Sequence, residues 1–136
     1  MPVRRTHLRR LPTGESVVVR RYHYRNHASY GSYGNLQAEV DLNDLGTIDW
    51  SIGNEGVRRV ATIHNVYVDD SVRGLGVGEE LVRGAEAELR KRHVRTVYLQ
   101  DVVPDAWGFW EKMGYHRAKT YPKGNLVGDI WEKGLP

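Results

Sequence analysis

Apolar residues recur at helical spacing in one long stretch of the chain. Val77, Leu81, Val82, Ala85 and Leu89 repeat with Glu and Arg between them, which predicts an amphipathic helix over residues 77–93. The charge order suits a helix dipole, with Glu79 and Glu80 in the first turn and Arg90, Lys91, Arg92 and His93 in the last. On either side of this helix, residues 62–68 and 95–100 are rich in β-branched and aromatic side chains and predict strands. Strand, helix and strand together predict a parallel, right-handed βαβ unit whose ligand side lies at the strands' carboxyl ends. Residues 16–22, 36–42, 47–52, 115–121 and 127–133 predict further strands, residues 43–46 a connection and residues 26–35 a Tyr/Gly loop punctuated by Gly, Ser and Asn. After Pro104 a second, shorter helix is expected, with Asp105 as its N-cap and Gly114 as its stop.

Composition narrows the picture to one small domain. At 136 residues and 40% hydrophobic content the chain suffices for a single mixed core and is too short for two. No apolar run approaches the roughly 18 residues of a membrane span, and no apolar signal core follows the first arginines, so a cytoplasmic protein without a membrane partner is expected. Cysteine is absent, which excludes disulfides and a thiol nucleophile. Charge is uneven: Arg4, Arg5, Arg9, Arg10, Arg20, Arg21 and Arg25 face one acid, Glu15, in the first 25 residues. Such a segment suits phosphate backbones, an acidic protein or a solvated surface, and the last reading is favoured over nucleic acid. His23 and His27 stand four apart without the H-E-x-x-H pattern, so no metal site is expected.

The chemistry concentrates in residues 64–78, HNVYVDDSVRGLGVG. A strand runs through a turn at Asp69-Asp70-Ser71 into Arg73 and three glycines, 74, 76 and 78, which open directly into the helix. Free backbone N–H groups and a positive helix end at one spot select an anion. Glu79 and Glu80 stand where a P-loop needs Lys-Ser/Thr, and the third glycine comes one residue early for a dinucleotide fingerprint. The arrangement Arg73-Gly74-Leu75-Gly76-Val77-Gly78 instead resembles the pyrophosphate loop of the GNAT superfamily of acyl-CoA-dependent N-acyltransferases. Residues 104–115, PDAWGFWEKMGY, resemble its second signature, a short helix of the form A-x-x-F-Y-E-K-x-G-F after the fifth strand, and residues 126–135 are similar to its last strand. The resemblance covers about residues 58–136, leaving 1–57 as a divergent N-terminal part of the same domain.

The resemblance implies an α+β fold with a mixed, mostly antiparallel sheet and a reduced helical N-terminal region, because the two helices usual between the first strands have no counterpart here. Their absence implies an acceptor site walled by the Tyr/Gly loop or by a partner subunit, hence a possible homodimer. It further implies an N-acetyltransferase with acetyl-CoA as co-substrate and an amine acceptor, small molecule or protein. Without cysteine the acetyl group would pass directly. Val66, Tyr67, Val68, Arg73, Gly74, Leu75, Gly76, Val77 and Gly78 fall at cofactor-binding positions, and Trp110 packs near the pantetheine arm. The base position falls on His64, whose ordinary pKa near 6.5 suits that role and which alternatively only packs in the sheet. Trp110 stands where the family's acidic tyrosine should be, leaving Tyr115 foremost, then Tyr98 and Tyr67, or unassisted thiolate departure. A catalytically degenerate acyl-CoA binder, or a nucleic-acid-associated factor using the basic N-terminal segment, are the alternatives.

Overall fold

The computed structural model describes residues 18–27, 31–40, 43–74, 76–118, 126 and 128–136, with side chains from residue 45 onward. Seven strands, β1 (Val18–His27), β2 (Gly31–Val40), β3 (Asn43–Glu55), β4 (Arg58–Val68), β5 (Thr96–Leu99), β6 (His116–Arg117) and β7 (Trp131–Gly134), form one sheet in the order β1-β2-β3-β4-β5-β7-β6. Among the described strands only β4 and β5 pair in parallel, so the sheet is mixed and mostly antiparallel as expected. Between them runs α1 (Val77–Lys91), and α2 (Trp107–Lys112) follows β5.

Alternation decides which face α1 covers. Ile48, Trp50 and Ile52 of β3 and Ala61 and Ile63 of β4 are buried with Val77, Leu81, Val82, Ala85 and Leu89 of α1. Gly46 permits the contact, since a Cβ there would sit 3.1 Å from both Leu81 Cδ1 and Val77 Cγ1. Both helices end in a Schellman arrangement. In α1 the His93 N–H donates to the Arg90 carbonyl and the Val94 N–H to that of Leu89, with His93 at φ 63°; in α2 the Gly114 N–H donates to Glu111 and the Tyr115 N–H to Trp110. Helix α1 therefore ends at Lys91, two residues short of the expectation.

Glu86 of α1 is 2% exposed and fully engaged. Tyr115 Oη donates to it at 2.8 Å, and Lys133 Nζ reaches its two oxygens at 3.0 and 3.1 Å while also donating to the Met113 carbonyl at 2.8 Å. One carboxylate thus ties α1 to β7 and to the C-terminal cap of α2.

Several boundaries differ from the sequence expectation. Residues 26, 27 and 31–35 belong to the β1–β2 ladder rather than to a loop, since cross-strand bonds and β-favouring tyrosines outweigh glycine and asparagine punctuation; residues 28–30 lie outside the described residues. Residues 43–46 are strand, with Ala38 opposite Gly46 and Glu39 opposite Asp44 across a bulge. Asp105 lies inside a 3-10 turn, Pro104–Ala106, so the N-cap of α2 is Ala106, with no side-chain cap bond. Tyr115 cannot start a strand because its N–H closes α2, and strand pairing is limited to His116–Arg117; residues 119–125 lie outside the described residues. The last strand begins at Trp131, after a turn with Gly128 at φ 73°. Residues 1–17, which hold the first four arginines, also lie outside the described residues.

The register between β3 and β4 carries one irregularity that matters for the site. Trp50 pairs with Ile63 and Asp49 with Asn65, so His64 is the extra residue of a β-bulge.

Candidate active site

Strands β4 and β5 pair from Val60–Thr96 to Ile63–Leu99, and β4 then continues to Val68 paired with β3 but no longer with β5. Where they part, a cleft of about 650 Å³ opens, lined among others by His64, Asn65, Val66, Val68, Arg73, Gly78, Gln100 to Val103, Phe109 and Trp110. A second hollow of about 400 Å³ shares Val68, Arg73, Gly78 and Phe109 and adds Gly74, Gly76, Val77, Glu79 and Lys112. The two form an extended channel from the bulge of β4 to the start of α1.

Backbone chemistry along β4 follows from the ladder. The Asp69 N–H donates to the Leu45 carbonyl at 2.8 Å, so residues 67 and 69 turn their peptide groups toward β3. By alternation Val66 and Val68 present N–H and C=O to the edge β5 has left. Tyr67 does not fit its expected cofactor role: its peptide groups belong to the ladder, its ring is half exposed, and it lines neither hollow.

The turn after β4 is built by Asp69, which accepts from the Ser71 N–H at 3.0 Å and from the Ser71 and Tyr67 hydroxyls. Those bonds hold the Asp69 carboxyl below the usual carboxylate range, Ser71 contributing most. They deliver Arg73, exposed, with Nε 2.5 Å from Asp70 Oδ1. Gly76 is the N-cap of α1 at φ 88°, with no side-chain cap bond, so the first amides of the helix face the smaller hollow. A Cβ on Gly78 would meet Val68 Cγ2 at 3.4 Å and Phe109 Cε1 at 3.5 Å, filling the neck of the channel. Leu75 lies outside the described residues. This cradle suits a pyrophosphate. Of the two first-turn acids that should repel it, Glu79, which lines the smaller hollow, is engaged: it pairs with Arg83 at 2.6 Å and with Lys112 at 3.3 Å. Lys112 and Phe109 were passed over by sequence reasoning although both stand within the second signature.

At the other end His64 is exposed on the bulge, with Nε2 2.7 Å from Ser51 Oγ. Burial lowers its pKa below 6.5, and the nearby Asp49 carboxylate opposes that shift without overcoming it. The shift favours the neutral imidazole, the form that can take a proton, at pH 7. Ser51 was not anticipated; its pairing with Thr62 beside the bulge brings it to His64.

The three tyrosines share one fate. Each donates its phenolic proton to a carboxylate, Tyr115 to Glu86, Tyr98 to Glu55 and Tyr67 to Asp69, and none lines either hollow. Each phenol is pushed above its ordinary pKa, by burial first in Tyr115 and Tyr98 and by the Asp69 bond first in Tyr67. Tyr115 is a core residue, and the reading of it as the acid is set aside. Trp110 does line the cleft, stacking edge-on with Phe109 at 5.0 Å and Tyr115 at 5.1 Å.

The chain is 25% identical over 91 residues to an acetyltransferase of Agrobacterium fabrum, a span of 66% of either protein. A solved GNAT-family acetyltransferase from Staphylococcus aureus superposes with a TM-score of 0.65 at 18% identity, over 76% of this chain and 68% of that one. The PaiA N-acetyltransferase of Thermoplasma acidophilum, solved with coenzyme A, superposes with a TM-score of 0.60 at 21% identity, over 74% and 60%. These likenesses match the fold read from sheet order and cleft. The acetyltransferase (GNAT) family model matches residues 5–115, beginning well before residue 58, so the divergent N-terminal strands are included and the chain belongs to the GNAT acetyltransferase family.

Proposed function

We propose that the protein is an N-acetyltransferase that moves an acetyl group directly from acetyl-CoA to an amine. The observation that carries this reading is the parting of β4 and β5 at Ile63 and Leu99, which puts free strand edge, uncapped helix start and a neutral histidine along one channel. Arg73 and the amides at residues 74–78 hold the pyrophosphate, and Val66 and Val68 hydrogen-bond the pantetheine amides as an added strand would. Trp110 and Phe109 wall the channel. Acetyl-CoA supplies a thioester, whose carbonyl carbon takes the amine while the C–S bond breaks. His64 removes the amine proton, directly or through one water, and Ser51 fixes its ring. No hydroxyl side chain lines the cleft among the described residues, so the departing thiolate is protonated by solvent.

Following free thiol while acetyl-CoA is offered with amines, peptides and aminoglycosides tests the reading. Acceptor-dependent release is expected, and Arg73→Ala should raise KM for acetyl-CoA by roughly ten- to a hundredfold, the equivalent of one charge-assisted bond of about 1.5–3 kcal/mol. Tight coenzyme A binding without acceptor-dependent release would favour the degenerate binder instead.

A further inference from the structure

The sheet face that carries His64 is polar from β4 to the sheet edge. Register places Ser51, Tyr33 and Arg25 in one row across β3, β2 and β1. The next row outward is Asn65, Asp49, Asn35 and His23, and the one after it Tyr67, Thr47, Gln37 and Arg21. Cross-strand partners occupy the same face. The opposite rows pair buried Ile48 and Trp50 of β3 with Leu36 and Gly34 of β2 and with Tyr22 and Tyr24 of β1, so charged residues fall in the His64 rows and none in these two. The edge strand β1 thus brings Arg21, His23 and Arg25 to the face of the proposed base. Asp49 is the acid within these rows, and Glu39 and Asp44 pair beyond them.

Resting on the acetyltransferase reading, we propose that the acceptor is a polypeptide carrying acidic side chains about four residues from its reacting amine. Three strand spacings of about 4.8 Å separate β4 from β1, roughly 14 Å, which an extended peptide crosses in about four residues. An amino acid is too short to place an anion there, and a polyamine carries no anion. Nucleic acid offers the charge but only ring-conjugated, weakly nucleophilic amines. The acidic segment lies across the sheet face on the Arg21 and Arg25 row ends while its amine meets His64.

The test uses peptides that begin with lysine and keep a free N-terminus, so that both amine types are present, with Glu or Gln four to six residues along. Affinity for C-terminally labelled peptides is read by fluorescence anisotropy and transfer by thiol release. The Glu peptide should bind about five- to thirtyfold more tightly at low salt, as two exposed ion pairs allow, and the gap should close at high salt. Arg21→Gln with Arg25→Gln should abolish the gap and leave KM for acetyl-CoA unchanged, whereas Arg21→Lys with Arg25→Lys should keep most of it. Equal binding of both peptides, a gap surviving the glutamine pair, or displacement of the Glu peptide by a single-stranded oligonucleotide at lower concentration would overturn the proposal. Thiol release without acidic preference would overturn this proposal and leave the acetyltransferase reading standing, whereas no release from any amine offered would overturn both.

Discussion

Two side chains at the cleft set sharply different expectations. Burial depresses the pKa of His64, so protonation removes the base only below pH 6.5. With a good acceptor, kcat/KM should rise with pH through a value below 6.5, and His64→Ala should erase that limb while lowering kcat/KM by roughly 10²–10⁴-fold. The higher limb, set by the acceptor amine, should survive in both proteins; an unchanged low-pH limb in a folded variant would assign it to another group. Trp110 behaves oppositely. It is 8% exposed and wedged between two aromatic rings, so Trp110→Tyr removes apolar contact and should lower stability by about 1–3 kcal/mol in denaturant titration, with no gain in turnover. A faster enzyme with unchanged coenzyme A affinity would show that a phenol at that position works as an acid.

The two ends of α1 make separable predictions. Its N-cap, Gly76, sits at φ 88°, where a β-branched residue is strained and its side chain would crowd the anion cradle, so Gly76→Val should weaken coenzyme A binding in calorimetry. Its C-terminal end has the rarer solution, His93 at φ 63° in the place where glycine usually closes a Schellman motif. His93→Gly should stabilise the fold by about 0.5–1 kcal/mol and leave transfer untouched, readable as a rise in melting temperature. The helix itself was legible from Val77, Leu81, Val82, Ala85 and Leu89 because its burial obeys the 3.6-residue period. The hairpin of β1 and β2 was not, since strands rich in Gly, Asn and Ser gain their order from ladder partners that composition does not reveal.

At the scale of the molecule, the Arg/Gly turn leading into α1 could be read from the sequence because consecutive residues build it. Ser51 at His64, and the carboxylates that take the protons of Tyr115 and Tyr98, could not, because each contact joins residues far apart or depends on where a strand bulges. Glu86 and Lys133, 47 positions apart, show how much depends on such a contact. Lys133→Met would leave the buried Glu86 carboxylate with only the more distant Arg90, 3.9 Å away, and should cost about 3–5 kcal/mol of stability, much of it restored by adding Glu86→Met. The parting of β4 from β5 has a mechanical side as well. Among the described strands, four residue pairs, Val60–Thr96 to Ile63–Leu99, join the four-stranded half of the sheet to the three-stranded half. A donor seated against Val66 and Val68 would extend that short seam, so resistance to heat should climb with acetyl-CoA concentration, by about 2.7 kcal/mol at a hundred times Kd, and amides of both halves should become protected together. Such a donor would act as a rivet between the two halves of the sheet, set when acetyl-CoA binds and drawn when coenzyme A leaves.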